Sequence, residues 1–135
     1  MSRPQISSEE NIVRAIHKAW WDEQTNRKDS SIFRDSRNKL SVSRLSILNL
    51  PELFVIFHKE LDTSPNGVII GAGEINVGHL QKIGKEFLDN PTIITVEEDP
   101  MEGNPAHAEI PQKISRGLAK KIISELLFHK DKNID

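Results

Sequence analysis

The stretch from Pro111 to Leu127 reads Pro-Gln-Lys-Ile-Ser-Arg-Gly-Leu-Ala-Lys-Lys-Ile-Ile-Ser-Glu-Leu-Leu and carries the clearest periodic pattern in the sequence. Apolar residues recur in it every four positions, at Ile114, Leu118, Ile122 and Leu126. This spacing puts the four side chains on one face of a helix. Proline suits the first turn of that helix, because its missing N–H is not needed there. The stretch therefore predicts a last helix whose apolar face packs on a sheet.

Three segments are predicted to form the sheet. The segment Thr92-Ile-Ile-Thr-Val96 is β-branched throughout and is the most strand-like in the chain. The side chains expected under the last helix are Ile93, Ile94 and Val96. Leu40 begins a second strand, in which apolar residues alternate with serines. The third strand is predicted within Gly67–Val77, where the glycines allow a close approach of another part of the chain.

A first helix is predicted from Glu9 to Glu23. Ser7 and Glu10 have the spacing of a capping box, and apolar residues at helical spacing follow them. Within this helix Trp20 lies on the apolar stripe, and Trp21 lies about 100° away from it. The two tryptophans are therefore candidates for an interface with a partner, because aromatic residues are enriched in interfaces.

Two more helices are predicted in the middle of the chain. Pro51 begins one of them, although Leu53-Phe-Val-Ile-Phe57 is also typical of a buried strand. Val77 begins a shorter helix, which ends at Asp89 because a proline follows closely.

Together these segments predict an α+β fold in a single compact domain over residues 1–135, with a small sheet of about three or four strands packed by about four helices. Residues 1–7 and 130–135 are expected to fray. The chain has 135 residues, enough for one domain with its own core.

Composition narrows the class of protein. The chain has no cysteine, which excludes disulfides, thiolate metal sites and a cysteine nucleophile. No apolar run is long enough for a membrane span, and the first residues lack the apolar stretch of a secretory signal. We therefore expect a cytoplasmic protein with no contact with a membrane.

Charge is unevenly distributed along the chain. Residues 1–50 carry a net charge of +3, residues 51–109 carry −8 and residues 110–135 carry +3. These regions either neutralise one another within the fold or steer a charged partner. The first interpretation is favoured, because the basic excess is small for a nucleic-acid-binding protein.

The segment from Arg27 to Arg44 is rich in basic residues and serines, which are the groups that hold phosphate. The candidate ligand-binding residues are Arg34, Arg37 and Arg44, with Phe33 anchoring the loop or offering an aromatic face. The alternative is a solvated basic loop, because Asp29 and Asp35 cancel part of the charge.

His107 is the candidate catalytic residue. It lies in a loop between the predicted strand at 92–96 and the last helix, and five acidic residues precede or follow it closely. It would act as a general acid or hold an anion; the alternative is a histidine whose ring nitrogen binds a carbonyl group and fixes the loop. No two histidines lie within four residues of each other and the acidic run does not match a calcium loop, so no metal and no cofactor are expected.

The sequence resembles a family of small uncharacterised bacterial proteins. The resemblance rests on Leu40-Ser-Val-Ser-Arg44, on Asp99-Pro and on Asn104-Pro-Ala-His-Ala-Glu-Ile110. In that family a strand beginning Leu-Ser-Val precedes an Asp-Pro pair and a His-Ala-x-Ile segment. The resemblance implies a bacterial origin and a compact domain, and it implies no activity.

Two classes of function follow from these observations. Because no complete catalytic motif is present, the favoured class is a non-enzymatic interaction or regulatory protein. It would be an accessory subunit of a larger bacterial assembly, for example one for defence or toxin control, with another protein or a second copy of itself as partner. The alternative is a phosphate-ligand or nucleic-acid-binding protein, with hydrolase activity if Arg34, Arg37, Arg44 and His107 converge.

Overall fold

A computed structural model describes residues 3–62 and 65–131 of the chain. They form a six-stranded antiparallel sheet and a separate two-stranded ribbon. The strands are β1 (Asn11–His17), β2 (Trp21–Asp22), β3 (Arg27–Lys28), β4 (Leu40–Arg44), β5 (Ile69–Asn76), β6 (Glu97–Glu98), β7 (His107–Ile110) and β8 (Leu127–Lys130). The sheet has the strand order β6-β7-β4-β1-β5-β8, and β2 pairs with β3 in the ribbon.

Three α-helices pack on this sheet: α1 (Leu50–Leu61), α2 (Val77–Glu86) and α3 (Arg116–Ser124). Two short 3-10 helices, Lys18–Trp20 and Ser30–Phe33, connect the strands near the ribbon. Asn49 begins α1 with a complete capping box formed with Glu52. The predicted helix at Pro51 is therefore confirmed, and the buried-strand alternative is wrong.

The sheet separates two hydrophobic clusters. One face carries Ile12 and Ile16 of β1 and is covered by α2, α3 and the Ser30–Phe33 segment. The other face carries Val13 and Ala15 of β1 and is covered by α1. Successive strand residues point to opposite faces, so the central strand β1 is buried on both sides.

The prediction of three or four strands and about four helices is wrong. The largest error is the helix predicted from Glu9 to Glu23, where the structure has β1, a 3-10 helix and β2. Residues four apart share a face in a helix, and they also share a face in a strand. Ile12 and Ile16 satisfy both patterns, and the central position of β1 makes Val13 and Ala15 apolar as well.

The segment Thr92–Val96 is not a regular strand. The N–H of Thr95 donates to the Gln112 side chain, and the Thr92 N–H donates to the carbonyl oxygen of Gly84 in α2. Ile94 and Val96 are buried in the cluster under α3, whereas Ile93 is 77% exposed. The predicted contact of Ile93 with the last helix is therefore wrong.

The last helix is shorter than predicted, and a strand follows it. Ile114, Leu118, Ile122 and Leu126 are all buried in one cluster, but α3 includes only the middle two of them. The chain then turns and adds β8 to the edge of the sheet beside β5. Lys130 and the buried Asp131 therefore do not fray, whereas residues 132–135 lie outside the described residues.

The described part of the N-terminal segment also packs on the fold. Ile6 is buried, and its N–H donates to the carbonyl oxygen of Val96. Arg3 contacts the carboxylates of Glu97, Asp99 and Glu109. These contacts hold residues 3–7 against the β6–β7 edge, where we expected fraying; residues 1–2 lie outside the described residues.

Candidate functional site

A groove with a volume of about 1090 Å³ lies beside the point where β1 and β4 diverge. These two strands pair only through Ile12 with Arg44 and Val13 with Ser43. Beyond that point the groove is lined by both strands, by the C-terminal turns of α1, by the segment from Arg27 to Lys39 and by the loop at 101–104.

Arg14 is a half-buried guanidinium beside the gap between the two strands. It donates hydrogen bonds to the carbonyl oxygens of Ile32, at 3.1 Å, and of Ser41, at 3.2 Å. Desolvation lowers the pKa of Arg14 to about 10, against the opposing charge of Asp35, so the side chain stays cationic at neutral pH. The guanidinium also lies over the ring of Trp20, 5.4 Å from its centroid.

The lining of the groove is basic although the whole chain has a net charge of −2. Its lysines and arginines are Arg14, Arg27, Lys28, Arg34, Arg37, Lys39, Arg116 and Lys120. Its acids are Asp29, Asp35, Glu60 and Glu102. The excess of cations in a concave surface attracts anions more strongly than the same charges on a flat one.

The local fold positions the basic segment. Asp29 caps the Ser30–Phe33 helix by accepting a hydrogen bond from the Ser31 N–H, and Phe33 is buried beneath it. Arg34 follows directly, is half-buried and lines the groove. Arg37 is more exposed and lies 3.5 Å from Asp35. Phe33 therefore anchors the segment, as expected, and is not available for stacking on a ligand.

Arg44 does not belong to the groove. Its guanidinium binds the Glu10 carboxylate, with a distance of 2.7 Å between Nη2 and Oε2, and lies 3.6 Å from Glu98. The hydrogen bonds that Arg44 donates to the Glu10 carboxylate raise the pKa of Arg44 above its ordinary value. Of the four residues proposed to converge, the groove contains Arg34, Arg37 and His107, and Arg44 serves an ion pair elsewhere.

His107 lines the groove from the first position of β7. Its Nδ1 lies 3.0 Å from the carbonyl oxygen of Asp99 and 3.2 Å from the carboxylate of the same residue. Its Nε2 lies 3.0 Å from the hydroxyl oxygen of Ser41. The ring therefore binds a carbonyl group and fixes the Asp99 loop, as in the second interpretation of His107 given above. It also contacts the exposed hydroxyl of Ser41 in the groove.

Sequence reasoning missed the groove residues that come from distant segments. Arg116 and Lys120 lie one turn apart on α3, and Arg14 lies in β1. The spacing of Arg116 and Lys120 could have indicated a shared basic face. The other available signal was Arg14, which interrupts the apolar residues of β1.

The two tryptophans occupy different surroundings. Trp20 lines the groove, and its ring packs edge-on against His17 with 4.6 Å between the centroids. Trp21 is half-buried and packs against Phe128 at 5.3 Å, with the ammonium group of Lys28 over its ring. The assignment of either tryptophan to an interface stays a prediction.

No group of three or more histidine, aspartate or glutamate residues suited to a metal is found within residues 3–62 and 65–131. In the same residues no helix is long and apolar enough to cross a membrane.

Comparisons of the chain with family models, with curated proteins and with solved structures gave no match. The resemblance to small bacterial proteins therefore stays a prediction.

Proposed function

We propose that this protein binds a phosphate-bearing ligand in the basic groove. The observation that carries the proposal is the collection of eight lysines and arginines against four acids in one concave surface of a weakly acidic protein. Guanidinium groups match the geometry of phosphate oxygens, and several cations that share a cavity bind a polyanion together.

The unpaired cations of the groove support this assignment. Among the described residues, the side chains of Arg34, Arg116 and Lys120 make no hydrogen bond and no ion pair. The pKa of Asp29 is lowered chiefly by its hydrogen bonds with Ser31, and the charge of Arg116 adds a smaller contribution. A cation already bound to a carboxylate must lose that partner before it binds a ligand, and these three side chains avoid that cost.

The size of the groove favours a small ligand or a single strand over a duplex. Pockets for small molecules and cofactors typically have volumes of about 300–1,000 Å³. The volume of the present groove, about 1090 Å³, lies slightly above that range. A nucleotide or a short single-stranded segment fits such a volume, whereas duplex DNA needs an exposed surface.

A salt titration tests the proposal. We expect a fluorescent single-stranded oligonucleotide to bind at low salt, with an affinity that falls as salt rises. Each phosphate contact on a single strand contributes a slope of about −0.7 to log affinity against log salt. Combined Arg34→Ala, Arg37→Ala and Arg116→Ala substitutions should reduce the slope by up to about two units.

The matched control removes the same charge outside the groove. Lys59, Lys85 and Lys113 are exposed and do not line it, so their combined substitution by alanine should leave the slope nearly unchanged. Equal loss in both triple variants would show that only net charge matters. Absence of binding by the unmodified protein at low salt to an oligonucleotide and to a mononucleotide would contradict the proposal.

The hypothesis of a non-enzymatic accessory subunit is compatible with a bound ligand, because a regulatory protein can sense one. It rested on the absence of a catalytic motif and on the two tryptophans. The geometry supports the ligand-binding class better, because Trp20 packs with His17 and Arg14 in the groove.

A further inference from the structure

Three side chains from separate parts of the chain lie next to one another in series at the groove. Asp99 lies in the loop after β6, His107 begins β7 and Ser41 lies in β4. The Asp99 carboxylate is 3.2 Å from Nδ1 of His107, and Nε2 of His107 is 3.0 Å from the hydroxyl oxygen of Ser41. An acid, an imidazole and a hydroxyl in this order form the arrangement that activates a serine nucleophile.

The surroundings of the imidazole determine its tautomer. Both neighbours of Nδ1 are acceptors, namely the carbonyl oxygen and the carboxylate of Asp99. In the neutral ring Nδ1 therefore carries the hydrogen, and Nε2 is left as an acceptor facing the Ser41 hydroxyl. A general base for Ser41 needs this tautomer.

The carboxylate in the series is held in place by a second contact. Arg3 Nη1 lies 3.0 Å from Oδ1 of Asp99, while Oδ2 of the same carboxylate faces His107. This ion pair holds the carboxylate in the orientation that the acid of a serine–histidine–acid series needs.

Exposure matches the roles of His107 and Ser41. The His107 side chain is only 13% exposed, so its ring orientation is fixed by its neighbours. Ser41 is exposed and lines the groove, so its hydroxyl is accessible to a substrate. Arg14 donates to the carbonyl oxygen of Ser41 at 3.2 Å, which fixes the backbone at the position of the nucleophile.

We propose that Ser41, His107 and Asp99 form a nucleophilic site that hydrolyses carboxylic esters. The Ser41 hydroxyl oxygen attacks the ester carbonyl carbon, and its proton passes to Nε2 of His107. The ester C–O bond then breaks, and the alcohol leaves with that proton. Water attacks the acyl carbon and gives a proton to His107, which returns it to the Ser41 oxygen as the carboxylic acid departs.

The charge of the groove indicates the substrate class, and this step rests on the proposed anion-binding function. An ester that carries a phosphate or carboxylate group elsewhere in the molecule would be held by Arg34, Arg37 and Arg116 while Ser41 attacks it. The nucleophile itself depends only on its contacts with His107, so the two claims are tested separately.

A neutral fluorophosphonate probe tests the nucleophile, because it phosphonylates activated serines without needing a charge. Intact-mass and peptide mass spectrometry should find one modification, at Ser41. Ser41→Ala should abolish the labelling, and His107→Gln should slow it by about 10²–10⁴-fold. The control Ser46→Ala should label at the normal rate, because the Ser46 hydroxyl contacts Glu10 and lies outside the groove.

Two further outcomes are decisive. The absence of labelling in the unmodified protein, or normal labelling of the Ser41→Ala variant, would overturn the nucleophilic site.

Hydrolysis of 4-nitrophenyl acetate and of its anionic analogue 4-nitrophenyl hemisuccinate then tests the substrate class. At low salt, kcat/KM for the anionic ester should exceed kcat/KM for the neutral ester by about tenfold or more. Labelling of Ser41 without that preference would overturn the substrate class and leave the nucleophile intact.

Discussion

At the scale of single residues, His58 connects distant parts of the chain through both of its ring nitrogens. Its Nδ1 lies 2.8 Å from the Asp62 carboxylate at the end of α1, and its Nε2 contacts the buried carboxylate of Asp131 after β8. Burial opposes protonation of the ring, but the hydrogen bonds with Asp131 and Asp62 outweigh it and raise the pKa of His58.

The raised pKa of His58 predicts a pH-dependent stability. A histidine whose folded pKa exceeds the unfolded value of about 6.5 stabilises the protein fully below that pH. The stabilisation is lost as pH rises through the folded pKa. The free energy of unfolding, measured by urea denaturation from about pH 6 to about pH 9, should therefore fall as pH rises.

Substitution separates His58 from the other titrating groups. The His58→Gln variant cannot gain or lose a proton at this position, so its stability should depend less on pH over the same range. His79→Gln is the matched control, because His79 is more exposed and contacts one carboxylate, Glu125, at 3.1 Å. A His58→Gln variant with the full pH dependence of the unmodified protein would contradict the assignment.

At the scale of elements, the sequence predicts correctly the helices and strands whose residue pattern fits only one type of secondary structure. Asn49, Pro51 and Glu52 define the start of α1, and α2 and β5 also form close to where they are predicted. The prediction of a helix at β1 is wrong because the spacing of Ile12 and Ile16 fits both a helix and a strand. Since β1 is buried on both faces, it also lacks the alternation of apolar and polar residues that marks an ordinary strand.

Packing also decides the elements near the C-terminus. The segment at 92–96 has strand composition, yet its N–H groups bond elsewhere: that of Thr92 donates to the carbonyl oxygen of Gly84 in α2, and that of Thr95 donates to the Gln112 side chain. β8 could not be predicted, because Leu127 and Phe128 extend the apolar pattern of the last helix, and only the free edge of β5 turns them into a strand.

The contact of α3 with the sheet predicts a large effect of one substitution. Leu118 is fully buried in the core cluster, so Leu118→Ala should reduce the free energy of unfolding by about 2–5 kcal/mol. Leu127 is 60% exposed on the edge strand, and Leu127→Ala should change it by less than about 0.5 kcal/mol. Urea denaturation measures both, and equal effects of the two substitutions would contradict the described packing.

At the scale of the whole molecule, the sheet brings together cations that are far apart in sequence. Arg14 in β1, Arg34 before β4 and Arg116 in α3 meet at one groove, whereas Arg44, only ten residues after Arg34, faces Glu10. The basic segment was visible in the sequence. The sequence could not show that this segment lies close to His107, because that closeness depends on the pairing of β4 with β7.

The central claim is that the basic groove binds a phosphate-bearing ligand, and amide chemical shifts test it most directly. The ¹⁵N-labelled protein would be titrated at low salt with a short single-stranded oligonucleotide. The shift changes should concentrate in residues 27–43, 101–107 and 116–120, which contain most of the residues that line the groove, and spare the exposed face of α2. No change at saturating oligonucleotide, or changes confined to other surfaces, would contradict the proposed site.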